Sequence, residues 1–378
     1  MYSFPLMNIE AREEGESIDV LAGSVIVGGF DGVELPSTIA ARIELGHLAG
    51  VTLFRRNIVD VRQVRALCVA LTASAPHGSP PIISIDQEGG RVARLREGVT
   101  VMPPMRALGT INDTNLTRRA ARVVARELAA LGVNLDFAPV CDVDSNPANP
   151  IIGDRSFGRD ASLVSRHVVA WIEGMRDENV MGCAKHFPGH GDTETDSHLE
   201  LPRITHDRAR LDAVELPPFR AAMAAGVASV MSAHVLFDAL DATVPATLSR
   251  AVMTGLLRDD VGAGSDAVIF SDDLHMKAVA DRYGVEDSAV RAIEAGCDGL
   301  LICTDPDSQE RARLALVAKA RADEAFKARL TDAAARVTRM RRKSPPTPCA
   351  TDAALAGVLA CEAHRAVADE IRRRSASP

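Results

Sequence analysis

Eight short apolar runs recur along the chain, and they limit the possible folds more than any other feature. They are residues 21–30 (LAGSVIVGGF), 48–54 (LAGVTLF), 80–86 (PPIISID), 133–140 (VNLDFAPV), 180–187 (VMGCAKHF), 227–235 (VASVMSAHV), 266–273 (DAVIFSDD) and 298–303 (DGLLIC). Most are continuous rather than alternating, as strands covered on both faces of a parallel sheet are. Amphipathic helical stretches separate them. In residues 114–132, Leu116, Ala120, Val123, Val124 and Leu128 recur at spacings of three and four, with arginines opposite. Residues 162–179 and 288–296 read the same way, and 309–342 is a long, highly charged helical segment. Eight strands alternating with helices predict a (β/α)8 barrel. The main rival, a doubly wound open sheet, would carry a glycine-rich phosphate turn after its first strand. GGFDG at 28–32 does not have that spacing.

Composition narrows the function. The chain has 378 residues, 47% of them apolar, enough for a full core. Its net charge of −8, with acids and bases interspersed, argues against nucleic acid as a partner. Seven cysteines (Cys68, Cys141, Cys183, Cys297, Cys303, Cys349 and Cys361) include no C-x-x-C pair and read as thiols of a reducing compartment. No secretory signal is visible at the start, and no apolar run reaches the roughly 18 residues that span a bilayer. The expectation is a cytoplasmic monomer without membrane contact. Residues 1–343 are read as the barrel domain and 344–378 as a tail without a core of its own, beginning at the proline-rich KSPPTPCATD.

Catalytic groups of such barrels sit at the C-terminal ends of strands and in the loops that follow. The third run ends in Asp86, Glu88, Arg91 and Arg94. The loop after the fourth carries Asp142, Asp144, Asp154 and Arg155. The fifth ends at Lys185 and His186, the sixth at His234, the seventh at Asp272 and Asp273, and the eighth at Cys303, Thr304 and Asp305. Asp142, Asp144 and Asp273 read equally well as helix caps. Arg91 and Arg94 could line a solvated face, Arg155 could pair with a neighbouring acid, and His234 could be a hydrogen-bonded core histidine. The concentration at one barrel end is what points to an enzyme acting on a polar substrate.

Beyond the fifth run, AKHFPGHGDTETDSHLELP (184–202) holds His186, His190, Asp192, Glu194, Asp196, His198 and Glu200 without helical or strand period. Gly189, Gly191 and their polar neighbours predict a mobile loop. Two chemistries suit these residues. One is a metallohydrolase using His186, His190, His198, His234, Lys185 and Asp272. It lacks a His-x-His pair at the end of the first run, and Pro188 and Gly189 prevent His186 and His190 from sharing a helix face. The other is retaining glycoside hydrolysis, with Asp272 on a rigid strand end as nucleophile. Asp196 and His198, two apart, would face the same way in an extended segment. Asp196 could then hold one ring nitrogen and leave the other as the acid/base.

Taken together, KHFPGHGDTETDSHLELP, IDQEGGRVARLR, GDRSFGRD, SVMSAHV and IFSDDLHMKAV resemble glycoside hydrolase family 3, with the likeness running from about residue 20 to residue 305 and nearest to NagZ-type β-N-acetylglucosaminidases of cell-wall recycling. The resemblance implies a (β/α)8 barrel that removes non-reducing terminal N-acetylglucosamine with retention, through a covalent intermediate. It needs no cofactor or metal and takes an N-acetylglucosaminide, such as a muropeptide fragment, as substrate. By motif, Asp272 is the nucleophile, His198 the acid/base and Asp196 its partner. Asp86, Arg94, Arg155, Lys185 and His186 bind the sugar, and His190 shapes the loop. The loop DTETDSH is more acidic than the family's common pattern. A histidine acid/base, unlike a glutamate, would not repel phosphate, so a partly phosphorolytic reaction is an alternative within the family. Aromatic residues are only 3% of the chain, which favours a small exo-acting pocket over a long polysaccharide cleft.

Overall fold

The computed structural model describes residues 17–193, 201–262 and 266–376. Eight parallel strands close into a barrel: β1 (Ile26–Gly28), β2 (Gly50–Leu53), β3 (Ile82–Ile85), β4 (Leu135–Asp136), β5 (Met181–Phe187), β6 (Ser229–Ser232), β7 (Val268–Asp273) and β8 (Gly299–Ile302). Each pairs with its neighbours in sequence, and β1 closes the ring on β8 through Ile26 opposite Leu300 and Val27 opposite Leu301. All eight lie inside the eight apolar runs, and helices pack around them, so the fold is the expected (β/α)8 barrel.

Side chains of a strand alternate between its two faces, and this alternation builds the interior. Val27, Ile82, Leu135, Met181, Cys183, Val268, Phe270 and Leu301 form one buried apolar cluster inside the ring. Ser84 and Thr52 hydrogen-bond each other above the lower residues at 2.9 Å. Continuing by twos along β5 and β7 reaches Lys185 and Asp272, and along β3 Asp86, at the C-terminal mouth. Ile26, Val51, Ile83, Ile85, Ala184, Val230, Ile269, Leu300 and Ile302, at the alternate strand positions, join a larger apolar cluster.

Two readings of local structure change. The first run is not one strand: Ile18–Ser24 is a helix capped by the Ser17 side chain, and only Ile26–Gly28 is strand. The helix is buried against two later helices, Pro306–Ala322 and Glu324–Lys343. An apolar run reports burial, and here burial came with two conformations. The charged segment 309–342 likewise divides at Asp323, which leaves helical geometry and caps the second helix through the amides of Ala325 and Phe326. The tail holds two helices, Asp352–Val358 and Glu362–Ala376. Both pack on the barrel's outer layer. Glu127, buried in the helix Thr114–Leu131, accepts hydrogen bonds from His364 Nδ1 and the Ala360 amide, each at 2.8 Å.

Candidate active site

A cavity of about 420 Å³ opens at the C-terminal mouth, lined among others by Asp86, Arg94, Arg155, Lys185, His186 and Asp272. Five of the sugar-binding candidates and the nucleophile candidate therefore share one wall. Residues 194–200, which include Asp196 and His198, lie outside the described residues.

The central element is an ion cluster. Lys185, 2% exposed, places Nζ 2.7 Å from both Asp86 Oδ1 and Glu88 Oε1. Arg155 donates to Glu88 in the two-pronged geometry that suits guanidinium and carboxylate, Nε to Oε2 at 2.9 Å and Nη2 to Oε1 at 2.8 Å. Arg94 Nη2 donates to Asp86 Oδ2 at 2.9 Å. Two carboxylates thus meet three cations. Burial alone would raise the acids, but Lys185 and Arg94 outweigh it and hold Asp86 well below the usual carboxylate range. Burial likewise opposes ionisation of Glu88, yet Arg155 and Lys185 bring its pKa down to about 2. Burial would strip Lys185 of its proton, and Asp86 and Glu88 keep it on.

Local sequence explains how these side chains converge. After Asp86, Gln87–Gly89 and Val92–Ala93 form a small antiparallel hairpin that returns Arg94 to Asp86. Gly90 turns it at φ 55°, and a side chain there would come within 2.7 Å of Pro104. The Gln87 amide donates to Asp136 Oδ1 at 2.8 Å, which anchors the hairpin to β4. Burial raises the Asp136 carboxyl to about 8, so it is largely protonated at neutral pH. Arg155 stands on a single 3-10 turn, Gly153–Arg155. Arg91 is exposed, as its solvated reading has it, and it steadies that loop through Asp154 at 3.1 Å and the Ile152 carbonyl at 3.0 Å.

Asp142, fully buried, organises the start of the loop after β5. Its Oδ2 lies 2.7 Å from His186 Nδ1, and its Oδ1 accepts the His190 amide at 2.6 Å. His186 Nε2 is 3.4 Å from Arg155 Nη2, which can only donate, so Nδ1 carries the ring proton and gives it to Asp142. His190 bonds Thr193 Oγ1 at 2.8 Å through Nδ1, and burial lowers its pKa to about 4. It is a neutral part of the pocket wall. A side chain at Gly191 would sit 1.8 Å from the Val143 carbonyl, so the backbone lies directly on the preceding loop. Residues 184–193 are thus packed and bonded, with nearly every position buried.

Asp272 is the penultimate residue of β7, and its Oδ1 accepts the Asp273 amide at 2.8 Å. Asp273 also lines the cavity, and its carboxylate takes the amides of His275 and Cys303 at 3.1 and 3.2 Å. His234 is buried, as its core reading required, and hydrogen-bonds the Asp273 carbonyl. Phe54, Phe137, Met231, Met276 and Leu301 supply the apolar side of the cavity. Among the described residues, no group of three or more His, Cys, Asp or Glu is arranged to hold a metal ion. Sequence reasoning noted Glu88 and Asp142 but assigned neither to the site. Glu88 lies two residues beyond Asp86, a spacing that could have marked it. Asp142 could be separated from a helix cap only by knowing what faces it.

A closed parallel barrel with a charged, hydrogen-bonding pocket at its C-terminal mouth defines a (β/α)8-barrel enzyme. Residues 18–340 match the model of the glycosyl hydrolase family 3 N-terminal domain. The chain is 41% identical over 285 residues to a β-hexosaminidase of Thiobacillus denitrificans, covering 73% of this chain and 77% of the relative. It superposes with a TM-score of 0.87 and 38% identity on a family 3 β-N-acetylglucosaminidase from a Paenibacillus species, over 95% of this chain and 69% of the other. NagZ from Neisseria gonorrhoeae matches at a TM-score of 0.78 and 33% identity, over 94% and 98%. The chain belongs to glycosyl hydrolase family 3, as a β-N-acetylhexosaminidase of the NagZ type.

Proposed function

We propose that the chain is a retaining, exo-acting β-N-acetylglucosaminidase that releases non-reducing terminal N-acetylglucosamine from cell-wall muropeptide fragments, working as a cytoplasmic monomer. The observation that supports this most is the shared cavity. Asp272, on the last inward position of β7, opens onto the same space as Lys185, Asp86, Arg94, Arg155 and His186. The cluster offers both donors and acceptors to sugar hydroxyls, and its internal ion pairs fix them in advance of binding. The volume suits one sugar residue and part of a second rather than a long chain. Among the described residues, no helix is long and apolar enough to cross a membrane.

In this reading an Asp272 oxygen attacks the anomeric carbon while His198 protonates the departing oxygen. Asp196 accepts the proton of the other ring nitrogen and sets the tautomer. His198 then takes a proton from water, whose oxygen displaces Asp272 from the sugar. The roles of Asp196 and His198 rest on the DSH motif. Asp86, Arg94, Arg155, Lys185 and His186 hold the sugar.

Steady-state rates on an aryl β-N-acetylglucosaminide and on an N-acetylglucosaminyl disaccharide, with and without chelator, test the assignment. Asp272→Ala is expected to lose turnover on both substrates while keeping its fold. His198→Ala is expected to lose roughly 10²–10⁴-fold on the disaccharide and much less on the aryl substrate, whose leaving group needs little protonation. Chelator should leave the wild type unchanged. Asp272→Ala activity within about tenfold of wild type, or equal His198→Ala losses on both substrates, would contradict the mechanism.

A further inference from the structure

The mechanism leaves the buried His234 unused. His234 follows the end of β6 and is fully buried, yet it reaches the strand that carries Asp272. Its Nε2 lies 3.0 Å from the Asp273 main-chain oxygen, which can only accept, so Nε2 bears the ring proton. Nδ1 lies 2.8 Å from Thr247 Oγ1, and Thr247 Oγ1 lies 2.8 Å from Ser232 Oγ. Thr247, on the short 3-10 turn Ala246–Leu248, thus fixes the plane of the imidazole.

Asp273 is held at every polar group used here. Its carbonyl takes the His234 proton and the Met276 amide at 3.0 Å, its carboxylate takes the amides of His275 and Cys303, and its own amide donates to Asp272 Oδ1. That last bond, at 2.8 Å, is the hydrogen bond that the described residues give the Asp272 carboxylate. With the Asp273 main chain pinned on both sides of its Cα, its amide direction is set, and so is the plane of the Asp272 carboxylate.

We infer that His234 is a positioning residue for Asp272: through the Asp273 carbonyl it fixes the amide that orients the attacking carboxylate. The inference rests on Asp272 being the nucleophile. One carboxylate oxygen, held by the Asp273 amide, leaves the other for the anomeric carbon. A misalignment of about 1 Å at such a position costs on the order of 10²-fold in rate.

The test uses 5-fluoro-β-N-acetylglucosaminyl fluoride with the full chain. An Asp272 oxygen lone pair forms the bond to C1, the C1–F bond breaks, and fluoride leaves with the bonding pair. Fluoride departs without an acid, so the labelling rate reports attack and not the work of His198. The ring fluorine slows hydrolysis of the ester, and the label accumulates. His234→Leu is expected to lower the saturating labelling rate about 10- to 100-fold, with less than about threefold change in half-saturation. His234→Gln, which keeps a donor at the distance of Nε2, should recover to within about fivefold of wild type. Thr247→Val keeps the shape of its site and the imidazole, and should slow labelling about three- to tenfold.

If His234→Leu does not fold, the other two variants decide. Thr247→Val labelling at the wild-type rate, or His234→Gln labelling more slowly than Thr247→Val by over about tenfold, overturns the role of His234. So does a folded His234→Leu that labels within about twofold of wild type. Peptide mapping of the labelled wild type separates the two assignments: a label on a residue other than Asp272 overturns the nucleophile itself, whatever the variants do.

Discussion

Glu88 shows how much of this site depends on a residue that need not touch the sugar. It holds Lys185 and Arg155 at once, with 1% of its side chain exposed. Glu88→Gln removes the charge while nearly keeping the shape, and leaves two buried cations with one shared anion fewer. Breaking a buried pair in this way costs about 3–5 kcal/mol. The variant should lose about 10²-fold in kcat/KM as Arg155 and Lys185 shift, measurable on an aryl substrate. Its pH dependence follows from the sign of the shift. The folded pKa of Glu88 is lowered from 4.5 to about 2, so its stabilisation is complete above about pH 4.5 and is lost as pH falls toward 2. The Tm gap between wild type and Glu88→Gln should therefore narrow across that window. A gap constant from neutrality to about pH 2 would show that the ion cluster does not hold Glu88 ionised.

At the scale of elements, the strands are short and their register is tight. Gly50, at the start of β2, lies so close to β3 that an added side chain would meet the Ile82 carbonyl at 1.9 Å and its amide at 2.5 Å. Backbone on a paired strand cannot move aside cheaply. Gly50→Ala should destabilise by about 1–3 kcal/mol, seen as an earlier denaturant midpoint with an unchanged slope. An unchanged midpoint would mean that β2 and β3 can separate there. Strand positions were legible from sequence because continuous apolar runs mark buried parallel strands. The helix Ile18–Ser24 was not, since its residues are just as apolar. The break at Asp323 was not either, since charge and helix propensity continue through it and only the capping bonds reveal it. Within the site, their place at the C-terminal ends of the fifth and seventh apolar runs made Lys185 and Asp272 readable, whereas the pairing of Asp142 with His186 joins residues 44 apart and has no local signal.

For the molecule as a whole, the tail is a bracket across the barrel's outer layer. Leu355, Val367 and Ile371 are buried, His364 reaches Glu127, and Arg374 pairs with Asp113 at 2.9 Å. None of these residues lines the active-site cavity. Removal of residues 345–378 should uncover apolar surface on Thr114–Leu131 and cost at least about 2 kcal/mol, read as a lower Tm, while kcat on an aryl substrate at moderate temperature stays near wild type. An unchanged Tm would make the tail a bystander.

By itself the sequence determined the number and place of the strands, the barrel they close into, and which strand ends carry charge, because an apolar run and the polar residues that end it are written locally. Only the tertiary structure decided the partnerships: Glu88 with Lys185 and Arg155, Asp142 with His186 and His190, and His234 with Asp273. Each depends on how far the closed ring rotates one strand end toward another, and that rotation is a property of all eight strands together.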